Sequence, residues 1–507
     1  MKIQGAGPPA RPWSERRVEC ALFLFMLLYY GFILRNAGLY REQVPLYMTF
    51  NDMLVHLAHG QFYVDPKLAG FEGFLRNGHV YSYWGITCAL LRLPLLFLHR
   101  LDLDVTAWSC LAAVCLMGMV KVRTVLFLRR FCRPAPPSGW AFRLMIVYIV
   151  FGGAEVGFLK SSIYQEIIFW AVAFAAIFVY YAVKGLVSGC FTAAGLAWMA
   201  ASAGLATLTR VSTGIGLSAA LVLLLLVLLA QDLRAGRPLN SRRFLVPAAV
   251  LAAFFAIAGA VNYARWGSPW TFADYSCYIP YHDFPARLER MRQYGLFNPA
   301  RIPFGLGYYF LPLWPFHGAN GQLLFAATQD RLMEAVELPP GTFFLTDLLP
   351  IAFCAFLAMA FWSARPVRSG RLQEHARTAP DTDSPRNRWP ANPAQLLALA
   401  AGLALPGLLM LQAIYMSYRY RMEFYPELDL LAFLGLYAAV SNPTLLARLI
   451  RIRRWIVAAA VVSIVSASAS MVLYKLSRFG PSGQYLRHGI VSYYAHDAWQ
   501  SARQRVH

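Results

Sequence analysis

The stretch CFTAAGLAWMAASAGLATLTRVSTGIGLSAALVLLLLVLLAQDLRAGRP, residues 190–238, decides the fold. It holds two apolar runs, 190–208 and 212–230, parted by a short turn at 209–211 that carries Arg210. Each run is close to the ~20 residues that carry a helix through about 30 Å of hydrocarbon. A turn this short makes the two runs antiparallel neighbours. The basic cluster Arg234–Arg243 at their far end marks a cytoplasmic boundary, because lysine and arginine accumulate on that side of a membrane.

The same pattern recurs on both sides of this stretch. Further candidate spans lie at 18–38, 105–121, 143–160, 165–184, 244–263, 343–363, 395–416, 426–441 and 455–474, so that about eleven helices are expected, within a range of about 10–13. Of the 507 residues 58% are hydrophobic and 14% charged. Soluble domains sit near ~45–50% and ~25%, so a soluble domain on a single anchor is excluded. The fold class is therefore an all-α polytopic membrane protein, a single transmembrane domain over 1–474. The formal charge of +21 falls in short clusters between apolar runs, which reads as a topology signal against anionic lipid rather than a nucleic-acid site. Of the eight cysteines most lie in apolar runs and no CxxC pair exists, so they read as small hydrophobes.

Charge orients the spans. Arg11, Arg16 and Arg17 precede an apolar run too long for a signal peptide, which predicts an uncleaved first helix with a cytoplasmic N-terminus. The clusters Lys121–Arg133, Arg234–Arg243, Arg365–Arg388 and Arg448–Arg454 are all expected inside. That assignment leaves no net crossing for 83–100, YWGITCALLRLPLLFLHR, which is expected to lie along or dip into the outer face; Arg92 and Pro94 in its middle agree. The long outer segments are then 39–104, 264–342 and the tail 475–507, while 365–394 is expected to be a disordered cytoplasmic linker.

Chemistry is sought first in YMTFNDMLVHLAHGQFYVD, residues 47–65. On a helix Asp52, His56 and His59 share one stripe, with Phe50, Met53, Leu54 and Leu57 opposite, which predicts an amphipathic helix lying on the membrane. Two readings stand side by side. Asp52 is a general base or metal ligand assisted by the histidines, or it is a capping-box acid after Thr49 with the histidines merely exposed. Other charges sit at the same boundary: Glu155, Glu166, Arg210, Arg419, Arg421 and Glu423. Snorkelling and interfacial anchoring account for some such residues, but carboxylates inside apolar helices usually face a cavity.

Six ordered stretches between residues 51 and 441 resemble the GT-C superfamily of multi-pass glycosyltransferases, among them mannosyl- and aminoarabinose transferases that use polyprenyl-phosphate-linked sugars. FNDMLVHLAHGQFYVD resembles their first outer loop, and GHVYSYWGITCALLRLPL its aromatic continuation with Tyr81 and Tyr83. SSIYQEIIFWAVAF resembles a "vYhEa.lw" stretch with Gln165 in place of histidine. GLATLTRVSTG resembles a helix junction of the family, and VNYARWGSPWTF an "N..rfGsP" element. RYRMEFYPELDLLAFLG resembles an "RY..DF.P" stretch with Glu423 in place of aspartate.

The resemblance implies a transferase with Asp52 as catalytic base and Arg210, Arg419, Arg421, Glu423, Tyr81 and Tyr83 binding substrate. It also implies a divalent cation (Mg or Mn) at His56, His59 and Glu166. The implied partners are a polyprenyl-phosphate-linked donor, a glycan, lipid or protein acceptor and the bilayer, with no nucleic acid. The implied place is a bacterial inner membrane with a periplasmic active site serving the cell envelope. A transporter or lipid-linked-sugar flippase, and a non-catalytic subunit of an envelope-assembly complex, are the competing readings. Transporters usually show internal repeats and midplane binding groups, and this sequence shows neither.

Overall fold

In hydrocarbon every backbone amide has to find its partner within its own segment, so long apolar runs close into helices. The computed structural model describes residues 13–35, 46–132, 139–238, 240–312, 331–337, 339–363 and 392–476, and it is all-α apart from two small strand pairs. In chain order the helices that matter are α1 (Trp13–Leu34), α2 (Thr49–Ala58), α3 (Thr106–Cys132), α4 (Gly139–Phe151), α5 (Gly153–Gly157), α6 (Ile163–Ser188), α7 (Ala193–Thr207), α8 (Val211–Arg234), α9 (Ser241–Trp266), α10 (Leu348–Ser363), α11 (Pro393–Gln412), α12 (Tyr425–Ser441), α13 (Pro443–Arg451) and α14 (Arg453–Leu476). Among the described residues nine helical segments are long and apolar enough to cross a membrane, with α4 and α5 forming one of them. The two shorter apolar helices, α7 and α10, complete the eleven runs read from the sequence. The expectations for the linker 365–394 and the tail 475–507 lie outside the described residues, apart from the helix ends at 392–394 and 475–476.

The segment 83–100 does not span. It breaks into two short helices, Thr87–Leu90 and Leu93–Phe97, each far below the length a crossing needs. The reason is Arg92, whose guanidinium is buried between Asn51 and Glu166 instead of facing lipid.

Two ends of the bundle are distinct. At one end the first loop, the α7–α8 junction, the last turn of α9 and the segment after α11 meet. There Thr87 donates its N–H to Leu208 O at 3.0 Å, and Arg265 Nη1 donates to Trp84 O at 2.8 Å. At the opposite end Arg243 donates to Asp232 at 2.9 Å and to Phe191 O at 3.1 Å, and Gln395 donates to Gln231 at 2.8 Å. Arg234, Arg243 and Arg448 belong to this second end.

Lys121 corrects the charge map. The sequence reading places it in a cytoplasmic cluster, but α3 runs on to Cys132 and Lys121 is buried within it. Its ammonium meets Glu155 at 2.8 Å and Asp429 at 2.9 Å. Glu155 likewise is not a boundary residue. The chain breaks between α4 and α5 at Gly153, where φ is +59°, and the break turns Glu155 inward. A charge buried this deeply is tolerated only when paired, and both carboxylates share the Lys121 ammonium.

Candidate active site

The first loop supplies one wall of the site. α2 packs its apolar side on protein rather than lipid, with Phe50 against Trp84 at 5.8 Å between ring centroids. This corrects the expectation of a helix lying on the membrane. A hairpin follows, β1 (Phe74–Arg76) paired antiparallel with β2 (His79–Tyr81). Its turn is Asn77-Gly78, both with positive φ, the pair that suits the right-handed twist of a two-residue hairpin. The hairpin fixes Glu72 just before it and Tyr83 just after it.

Glu72 is the central carboxylate. The Tyr164 hydroxyl, in the first turn of α6, donates to it at 2.7 Å. Burial pushes the Glu72 carboxyl above the usual glutamate range, against the opposing pull of Tyr164 and Arg419. Arg419 lies 4.5 Å over the Tyr164 ring and 3.1 Å from Glu337. Glu337 is brought there by a short parallel pairing of β3 (Ala335–Val336) with β4 (Tyr415–Met416), and it also accepts from Ser417 Oγ at 2.6 Å and Tyr418 N at 3.0 Å.

These groups surround a chamber of about 140 Å³ that includes Glu72, Tyr164, Glu337 and Arg419 in its lining. A second chamber of about 440 Å³ adjoins it. Tyr83, Tyr275, Tyr415 and Tyr420 line both and so form the wall between them. The larger chamber is apolar along Ile86, Ile167, Leu208, Val211 and Val261, with Arg210 and Arg265 as its charged groups. Arg210 lies 5.0 Å over the Tyr420 ring and is paired with Glu423, which also accepts from Ser212 at 2.7 Å and Thr213 at 2.6 Å. The Glu423 carboxylate is therefore a bracket that aims Arg210.

The residues singled out in the sequence thus separate into groups. Tyr83, Arg210 and Arg419 line the chambers, and Glu423 stands directly behind Arg210. Asp52 lines neither chamber: its Oδ2 accepts the Asp65 N–H at 2.8 Å, and His56 Nε2 stands 3.6 Å from Oδ1. It is not a capping-box acid either, since Thr49 Oγ1 donates to Leu46 O and Leu68 O, at 2.8 and 2.7 Å. Arg421 is fully buried against Asp347 at 2.9 Å, and Tyr148 and Tyr425 donate to the same carboxylate. Tyr81 packs against Trp266 at 5.9 Å, outside both chambers.

The three residues named for a cation do not converge. Glu166 gives both oxygens to Arg92, at 2.7 and 2.9 Å. The His59 ring is tied to Val55 O at 2.8 Å, and that of His56 to Gln61 at 2.9 Å. Among the described residues no group of three or more His, Cys, Asp or Glu side chains is placed to hold a metal ion.

Comparison with known proteins gives no matching family model and no matching curated protein. Three solved chains are similar. One is the archaeal oligosaccharyltransferase AglB from Archaeoglobus fulgidus in complex with an inhibitory peptide and a dolichol-phosphate. The others are the Archaeoglobus fulgidus oligosaccharyltransferase tethered to an acceptor peptide containing the NVT sequon, and its apo form. Each has 13% sequence identity and a TM-score of 0.45, with 92–94% of this chain covered. The chain spans only 56–57% of the length of those structures.

Sequence reasoning passed over Glu72, Tyr164, Glu337 and Arg265. A usable signal existed for the first: Asn77-Gly78 marks a hairpin, and the carboxylate preceding a hairpin in a loop that folds back on the bundle is held in place. For Glu337 no local signal exists, because only the pairing with residues 415–416 places it.

Proposed function

We propose that this chain is a membrane glycosyltransferase that moves a sugar from a polyprenyl-phosphate donor to an acceptor hydroxyl on a glycan, lipid or protein. The observation that carries the reading is the pair of adjoining chambers. One is apolar with arginines for an anionic lipid head, the other polar with a carboxylate, and a tyrosine wall stands between them. A donor with a hydrocarbon tail and a phosphate needs the first kind of chamber, and a hydroxylated acceptor needs the second.

In this reading the acceptor hydroxyl gives its proton to a carboxylate and its oxygen attacks the anomeric carbon in line. The bond from that carbon to the phosphate oxygen breaks, and the electron pair leaves with the polyprenyl phosphate. Arg210, which lines the chamber assigned to the donor, stabilises the charge that develops on the leaving phosphate. Glu72 is the better placed base, because it faces the polar chamber and its raised pKa improves proton acceptance. Asp52, the carboxylate implied by the resemblance, is the comparator. The site lies at the end of the bundle away from the arginine clusters, which fits a periplasmic face of a bacterial inner membrane with the N-terminus cytoplasmic.

The test uses purified full-length protein in nanodiscs with labelled polyprenyl-phosphate sugars, mannosyl and aminoarabinosyl donors included. Glu72→Gln is expected to lower turnover by about 10²–10⁴-fold, the usual contribution of a general base. A smaller loss than in Asp52→Asn would return the base to Asp52. Transport of a soluble solute in counterflow by the same preparation, with no transfer to any acceptor, would replace the reading altogether.

A further inference from the structure

Among the described residues four arginines inside the bundle are matched to carboxylates. Arg92 has Glu166, Arg210 has Glu423, Arg419 has Glu337 and Arg421 has Asp347. Arg301 meets no carboxylate among the described residues, but it donates to four backbone carbonyls, of Leu332, Leu296, Gln412 and Gly295, at 2.8–2.9 Å. Arg265 has neither kind of shell. It is 3% exposed, its Nη1 donates to Trp84 O at 2.8 Å, and its Nη2 reaches only the Met53 sulfur at 3.7 Å. Its Nε has no partner among the described residues. A guanidinium offers five donors in a planar fork, and here most of them are unused. Isolating such a charge from water is costly unless a counter-charge arrives.

The residue lines the larger chamber, in the last turn of α9. Arg210 lines the same chamber, but Glu423 already balances it. Arg265 is therefore the net positive charge of that chamber among the described residues. Around it the walls are apolar, contributed by Ile86, Ile167, Leu208 and Val261. A chamber that combines an unbalanced guanidinium with such walls suits an anion carried on a hydrocarbon. A phosphate accepts two N–H bonds from one arginine, and Arg265 keeps its Nε proton and one proton on each terminal nitrogen unclaimed among the described residues.

We propose that Arg265 is the anchor of the larger chamber for the phosphate of a polyprenyl-phosphate lipid, whose hydrocarbon lies along the apolar wall. This rests on reading that chamber as the donor chamber. The phosphate stays bound to Arg265 before and after transfer, while Arg210, held by Glu423, faces the tyrosine wall where the sugar is exchanged.

The test is direct binding to the full chain in nanodiscs, with farnesyl phosphate, farnesol and inorganic phosphate as probes. Farnesyl phosphate is expected to bind wild type, to bind Arg265→Gln about ten- to a hundredfold more weakly, and to bind Arg265→Lys with intermediate affinity. Farnesol affinity is expected to be the same in all three. That equality also shows that the chamber persists when the bond to Trp84 is lost. Undiminished binding of farnesyl phosphate to Arg265→Gln overturns the anchor. Inorganic phosphate binding wild type as tightly as farnesyl phosphate overturns the lipid assignment. The readout contains no transfer step, so it separates the two ideas. Arg265-dependent binding in a chain that transfers no sugar removes the transferase reading and keeps the anchor. Full transfer by Arg265→Gln does the reverse.

Discussion

Glu72 and Glu166 show how differently two carboxylates at one end of the bundle behave. Glu72 is held by a tyrosine and a more distant arginine, and burial raises its pKa. A base must be ionised, so transfer is expected to fall as pH drops through that raised value, at a less acidic pH than an ordinary glutamate allows. The sign for stability is opposite. A carboxyl whose folded pKa is raised costs stability once pH exceeds its unfolded value, and the cost is complete above the folded one. Glu72→Gln is therefore expected to abolish the acidic limb of the rate profile while raising the unfolding temperature at neutral pH. A lowered unfolding temperature would show that the residue is structural. Glu166 is the contrary case, with both oxygens on Arg92. Glu166→Ala leaves a buried guanidinium without its counter-charge and is expected to cost about 3–5 kcal/mol, seen in thermal unfolding, while Glu166→Leu with Arg92→Met together cost far less. The sequence exposed Glu166 as a charge at a membrane boundary. It gave no view of Arg92 as the partner, because a contact 74 positions away leaves no local trace.

At the scale of elements the helices were legible and their contacts were not. Periodic apolar runs set the number and order of spans, since length and hydropathy alone decide whether a segment can cross. Where a span ends is less visible, because Lys121 looks like a terminus yet is matched inside the bundle by Glu155 on α5 and Asp429 on α12. Helix pairing depends on small residues instead. α8 and α11 meet so closely that a Cβ on Gly402 would stand 2.2 Å from the Ala220 backbone nitrogen, and one on Gly216 would lie 2.4 Å from the Pro406 ring. Backbone cannot yield as a side chain does. Gly402→Val is therefore expected to destabilise by about 1–3 kcal/mol or more and to separate the two helices. Because both helices feed the larger chamber, through Val211 and Met410, farnesyl phosphate affinity should fall with it. An unchanged melting temperature for Gly402→Val would deny the close approach.

For the whole molecule the governing fact is alternation. Each crossing moves the chain to the other side, so loops after odd-numbered spans share one end and loops after even-numbered spans share the other. The structure obeys this. The first loop, the α7–α8 turn, the end of α9 and the α11–α12 connection meet around the chambers, while the ends of α8 and the starts of α9 and α11 meet at Asp232, Arg243 and Gln395. Removing 83–100 from the spans is what makes this register hold, since one additional crossing would place the first loop opposite Leu208, to which it is hydrogen-bonded. The arginines of α8, α9 and α13 lie at the second end, and we propose from the positive-inside rule that this end is cytoplasmic. Alkaline phosphatase joined after residue 60 or residue 300 is therefore expected to be active, and joined after residue 189 or residue 236 inactive. Activity after residue 236 together with silence after residue 60 would invert the whole molecule. The chambers would then open to the cytoplasm, where the donor would have to be made and used on one face, and the periplasmic reading of the site would have to be given up.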